Sequence, residues 1–149
     1  MKKTIIVLLI VLMTGCSFKT NLTVNESISN KVESSSEVIT TMKVIIDEKE
    51  YTANLENNET TKALVDLLPL NLNMNELNGN EKYFNLDNNL PTNEIYPKHI
   101  NKGDIMLYGK NCLVIFYESF DTPYSYTKIG HIDNLPNLGS DNISIMITK

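Results

Sequence analysis

"GDIMLYGKNCLVIFY", residues 103–117, carries the pattern that decides the fold. Gly109-Lys110-Asn111 interrupts two apolar runs of strand length, which predicts a tight hairpin. In the second run Cys112, Val114 and Phe116 share one face, and Leu113, Ile115 and Tyr117 share the other, because successive side chains of a strand point to opposite sides. Both faces are apolar, so this strand belongs in the middle of a sheet and is covered on each side. Asp104, directly after Gly103, terminates or caps the turn that leads in.

Strands of similar length recur on either side. "MKVIID" (42–47) and "YTANLE" (51–56), joined by "EKE", read as a hairpin. Asn58 can cap "ETTKALVDLL" (59–68), where Ala63, Leu64, Leu67 and Leu68 recur at helical spacing before Pro69 ends the helix. "LNLNMNEL" (70–77) alternates apolar and polar residues strictly, and "NGNE" (78–81) turns the chain into "KYFNL" (82–86). "YSYTKIGHI" (124–132) and "NISIMIT" (142–148) complete the set, with "DNLPNLGSD" (133–141) as their connector. The pattern predicts a mainly β domain: a closed barrel of about eight strands with one or two short helices, since closure removes exposed strand edges.

Upstream of this domain the chemistry changes. Lys2 and Lys3 precede nine unbroken apolar residues, Ile5 to Met13, the layout of a secretory signal. Nine helical residues rise only about 13 Å against roughly 30 Å of bilayer hydrocarbon, so a permanent span is disfavoured. Leu12-Met13-Thr14-Gly15-Cys16 resembles the lipobox of bacterial lipoprotein signal peptides, with Met13 where leucine is more usual. That resemblance implies removal of residues 1–15 and a lipid on Cys16, placing the protein in the bacterial cell envelope, extracytoplasmic and anchored to membrane. Acyl chains on the thiol would hold it there, since each buried CH₂ contributes about 0.8 kcal/mol. Residues 16–40 follow as a polar tether, 16 of the 22 residues from Lys19 to Thr40 being Ser, Thr, Asn, Lys or Glu. Residues 41–149 form one domain of ordinary size.

Charge narrows the functions available. The chain after residue 15 carries 11 lysines against 18 acids, a formal charge of −7, which argues against nucleic acid as a partner because phosphate binding needs clustered cations. All thirteen basic residues are lysine, and lysine does not reproduce the planar fork of five donors that arginine offers. With Cys16 used as an anchor, Cys112 has no partner for a disulfide, and stability rests on the core. No cofactor-binding motif is present, and nothing in the composition calls for more than a monomer.

"ETTKALVDLLPL", "NGNEKYF", "GDIMLYGKNCLVIFY" and "YTKIGHID", in this order, resemble the corresponding stretches of a bacterial family of cyclophilin-like domain proteins, across nearly all of residues 41–149. The resemblance implies a cyclophilin-type β-barrel and brings no established activity with it. True cyclophilins are peptidyl-prolyl isomerases, and their mechanism as a family uses an arginine to stabilise the twisted amide. This chain has neither arginine nor tryptophan, and no stretch matches the phenylalanine, glutamine and histidine signatures of that active site. A rotation barrier of about 18–20 kcal/mol yields only to a donor held in the right place.

Five of the eleven aromatic residues lie in "FYESFDTPYSY" (116–126). Tyr117, Phe120, Tyr124 and Tyr126, with Tyr83 and Phe84 from the earlier strand, either line a groove for a peptide or small ligand or simply cover the mouth of the barrel. A cleft holding a lysine beside aromatics would favour isomerisation; a filled barrel would favour binding at its surface. His99 and His131, the two imidazoles, lack the close ligand spacing of a metal motif, even with Glu81 or Asp133 added. Asp133, Asn137 and Asp141 do not match a calcium loop. Cys112, placed within a strand, is expected to be a small buried apolar residue and not a reactive thiolate.

Overall fold

The computed structural model describes residues 39–149. Ten strands and one helix follow one another: β1 (Thr41–Ile46), β2 (Lys49–Leu55), α1 (Glu59–Asp66), β3 (Leu70–Leu77), β4 (Glu81–Asn85), β5 (His99–Ile100), β6 (Asp104–Tyr108), β7 (Cys112–Phe116), β8 (Phe120–Asp121), β9 (Thr127–Ile132) and β10 (Ile143–Thr148). Eight of the strands close into an antiparallel barrel in the order β1-β10-β3-β4-β7-β6-β9-β2, and β5 pairs with β8 as a separate two-stranded ribbon. β7 sits between β4 and β6, the central place its two apolar faces require.

Alternation fills the barrel. Val44, Leu72, Leu107, Leu113, Ile115, Ile129 and Ile147 point inward and are almost completely shielded from solvent. Leu64 of α1 and Leu135 and Leu138 of the connector join the same core. Lys82 is also fully buried. Its Nζ donates to the carbonyl oxygens of Gly139 and Asp141, each at 2.7 Å, and lies 4.9 Å from the centre of the Tyr117 ring. One ammonium thus ties the connector to β4, and its burial is tolerated because it is partnered. Burial pushes this amine below the usual lysine range, with Glu76 and Asp141 opposing.

Several local expectations are refined. The β1–β2 turn is two residues, Asp47 and Glu48, both at positive φ, the geometry whose twist matches a tight hairpin. Asn58 does cap α1, accepting from Thr61 N at 2.9 Å. The helix nevertheless stops at Asp66, and its buried residues are Thr60, Thr61, Leu64 and Val65. The two threonines go inward because carbonyls await them there: Thr61 Oγ1 donates to Ile129 O of β9 at 3.2 Å, and Thr60 Oγ1 to Pro91 O of the segment between β4 and β5 at 2.6 Å. β9 begins at Thr127, three residues later than the sequence pattern suggests, leaving Tyr124 in the preceding loop. A Cβ on Gly130 would overlap the Asn54 carbonyl oxygen of β2, so glycine is what lets β2 and β9 close the barrel. Next to it the β6–β9 register slips between Ile105 and Met106, a bulge that sharpens the local bend.

Candidate functional site

The outer face of the β4–β7–β6 wall forms a hollow on the barrel's side, not at its mouth. Glu81, Tyr83 and Asn85 alternate along β4 and line it, beside Cys112 and Val114 of β7 and Tyr108 of β6. The cross-strand pairs Tyr83↔Val114 and Asn85↔Cys112 set these side chains next to each other. Phe120 of β8, with Tyr124 and Tyr126 beyond it, closes the other side, giving a cavity of about 580 Å³. Lys110 and Asn111 of the hairpin and Asn78 and Asn80 of the β3–β4 turn complete the lining.

The aromatic wall is a connected series. Tyr124 meets Tyr108 edge-on, ring centres 6.0 Å apart, and Tyr108 lies 5.6 Å from Tyr126. Tyr126 meets Phe116 edge-on at 5.5 Å, and Phe116 lies 5.6 Å from Phe120. Such offset and edge-to-face pairs add about 0.5–1.5 kcal/mol each beyond area burial. Behind the rings, Ile100, Met106, Val114, Phe116 and Tyr126 make a second small core separate from the barrel interior. The ribbon supports it: Ile100 pairs with Phe120, and His99 Nδ1 lies 2.7 Å from Asp121 Oδ1. Tyr126 is fixed by two backbone hydrogen bonds with Ile95.

Polar groups in the hollow are poorly matched. Burial raises the carboxyl of Glu81 to about 7, and the nearby Glu76 adds to the shift. Burial likewise pushes the Cys112 thiol upward, with Glu81 contributing, so Cys112 has the opposite of thiolate character. The Tyr126 hydroxyl is raised chiefly by burial, against a hydrogen bond with Thr122. Asn80 Oδ1 is buried and has no hydrogen-bond partner among the described residues.

Of the six aromatic residues singled out from sequence, Tyr83, Phe120, Tyr124 and Tyr126 come together here. Phe84 and Tyr117 do not, and their assignment to the groove is corrected: each packs with the barrel core. The reason is alternation, since Phe84 follows Tyr83 on β4 and Tyr117 follows Phe116, the last residue of β7, which turns each to the opposite face. Tyr117 instead donates through its hydroxyl to Glu76 Oε1 at 3.1 Å. Cys112 is also corrected, from a core residue to a half-buried member of the cavity wall. Tyr108, Asn80 and Glu81 also line the cavity, outside the aromatic cluster that the sequence singles out. The same alternation marks one of them, since Glu81 shares the face of Tyr83 on β4. The structure also holds both discriminating features at once, a filled barrel and an open cleft with a lysine, Lys110, on its rim.

The histidines stand apart from the cavity. His131 Nδ1 lies 3.1 Å from Asp104 Oδ1, and its Nε2 lies 3.7 Å from Asp133 Oδ1. Asp104 caps the turn as expected, accepting from Asn101 N at 2.9 Å. Among the described residues no group of three or more His, Cys, Asp or Glu is placed to hold a metal.

A closed eight-stranded antiparallel barrel with one short helix and a lateral cavity defines a cyclophilin-like barrel protein. The chain belongs to the cyclophilin-like family, whose family model matches residues 44–148. A similar fold occurs in the solution structure of a hypothetical protein from Archaeoglobus fulgidus, 19% identical, with a TM-score of 0.50 over 73% of this chain and 93% of that one. No curated relative matches the sequence.

Proposed function

We propose that the protein is a lipid-anchored, extracytoplasmic binding module whose cyclophilin-like barrel takes a peptide or small ligand in the cavity on its outer wall. The observation that carries this reading is the cavity itself. Its volume of about 580 Å³ falls within the roughly 300–1,000 Å³ of small-ligand sites, and like them it combines apolar walls with a few polar groups. A proline-containing tetrapeptide titrated into the full chain is expected to shift the NMR signals of Tyr83, Tyr108 and Tyr124, with weaker binding and an intact fold in Tyr124→Ala. Loss of fold along with binding would instead make the ring part of the core.

Lys110 on the rim is the observation that favours prolyl isomerisation as the second reading. Acceleration of cis–trans exchange in an Xaa-Pro peptide, abolished by Lys110→Ala, would replace binding with catalysis. The anchor rests on the sequence, since Cys16 lies outside the described residues. The mature wild-type protein is expected to carry the added mass of a lipid, and Cys16→Ser to lose both that mass and membrane association; an unmodified Cys16 refutes the anchor.

A further inference from the structure

The cavity holds a carboxyl with nothing to answer it. Glu81 forms no ion pair among the described residues, whose salt bridges lie elsewhere. The adjacent Lys82 is committed to the barrel interior on the opposite face, and Lys110 sits exposed at the hairpin tip. Other titratable groups around Glu81 bring no positive charge: Glu76 from β3, Cys112 from β7, Tyr83 on its own strand, and Tyr108, Tyr124 and Tyr126 across the hollow. Asn80 adds a buried oxygen without a donor. Among the described residues the two lysines that lie over aromatic rings are Lys49 on Tyr51 and Lys82 on Tyr117, and neither ring lines the cavity.

A carboxyl, a spare acceptor and several aromatic rings are the groups that recognise an ammonium: the carboxylate offsets its charge, the acceptor takes an N–H, and ring faces attract the cation. We propose that the cavity selects a ligand carrying a primary ammonium group on an apolar stem, with Glu81 as its counter-ion. This rests on reading the cavity as a binding site and names the chemistry it selects. An anionic ligand would instead bring its charge against Glu81. The formal charge of −7 on the chain after residue 15 also favours encounter with cations. The ammonium can come from a lysine side chain of a peptide or from a free amine.

The two sources and the class are tested together by calorimetric titration of the full chain with N-acetyl-lysine methylamide, phenethylammonium, and the uncharged N-acetyl-norleucine methylamide. At pH 8 at least one cation is expected to bind saturably and more than tenfold tighter than the uncharged probe. Preference for the lysine derivative assigns a peptide source, and preference for phenethylammonium a free amine. Because Glu81 titrates at about 7, affinity should fall by up to about thirtyfold between pH 8 and pH 5.5 as the carboxyl is protonated. Glu81→Gln should lose at least tenfold at pH 8 and flatten that dependence. Equal binding of charged and uncharged probes, or an unchanged Glu81→Gln, overturns the ammonium assignment while leaving the cavity a binding site. Absence of binding by all three probes and by the proline tetrapeptide overturns both.

Discussion

Glu81 and Lys82 are neighbours in the chain and lie on opposite faces of one strand. Lys82 enters the barrel and meets two carbonyl oxygens and the face of Tyr117. Glu81 enters the lateral cavity and meets tyrosine rings, a thiol and, nearby, a second carboxyl. Both are ionisable side chains drawn out of water, Lys82 completely and Glu81 in part, and the difference lies in their partners. A buried charge whose partners are supplied by the fold stabilises that fold; one left without them marks a place where something outside the fold can bind.

Removing the partnered charge should have the largest effect. Lys82→Met keeps the apolar stem but leaves the Gly139 and Asp141 carbonyls unpaired, and is expected to cost about 3 kcal/mol in urea unfolding at pH 7. A neutral result would break the contrast by showing that the interior does not depend on this ammonium.

Removing the unpartnered charge should have the opposite sign. Between the ordinary carboxyl value of 4.5 and about 7, the folded chain holds a proton that the unfolded chain has released, so stability falls as pH rises through that window. Above it the loss is on the order of 2 kcal/mol, allowing for the partial exposure of Glu81. Glu81→Gln should therefore be more stable than the parent by about that amount at pH 8.5, and the two should converge near pH 4. Parallel stability profiles for parent and variant would show that Glu81 is matched after all.

Tyr124 sharpens the comparison at its smallest scale. It is 55% exposed, and Tyr124→Ala should change stability by no more than about 0.5 kcal/mol. A loss several times larger would extend the second core out to the cavity's edge.

The barrel was legible wherever pattern and burial share a period. "LNLNMNEL" became β3 over its full length, and the two apolar faces of "NCLVIFY" placed β7 between two neighbours. The helix cap at Asn58 was equally plain, because capping is local chemistry. The β5–β8 ribbon was invisible, since two-residue strands carry no period to read. Its contribution to the site was hidden for the same reason. Four of the six proposed rings reached one cavity, and the two that did not, Phe84 and Tyr117, were separated from their neighbours by the alternation that built the barrel.

By itself the sequence determined the main strands of the barrel, which faces of those strands are apolar and that an acidic, arginine-free domain follows an apolar stretch that resembles a lipobox. Those properties follow from residue chemistry and short-range periodicity. Only the tertiary structure decided that the aromatic cluster stands over the outer wall and that Glu81 faces it with no ion-pair partner among the described residues. Both depend on groups distant in the chain: Tyr108, Tyr124 and Tyr126 approach Glu81 because the barrel closes and the β5–β8 ribbon folds back on it. The environment that raises this carboxyl exists only once they have met.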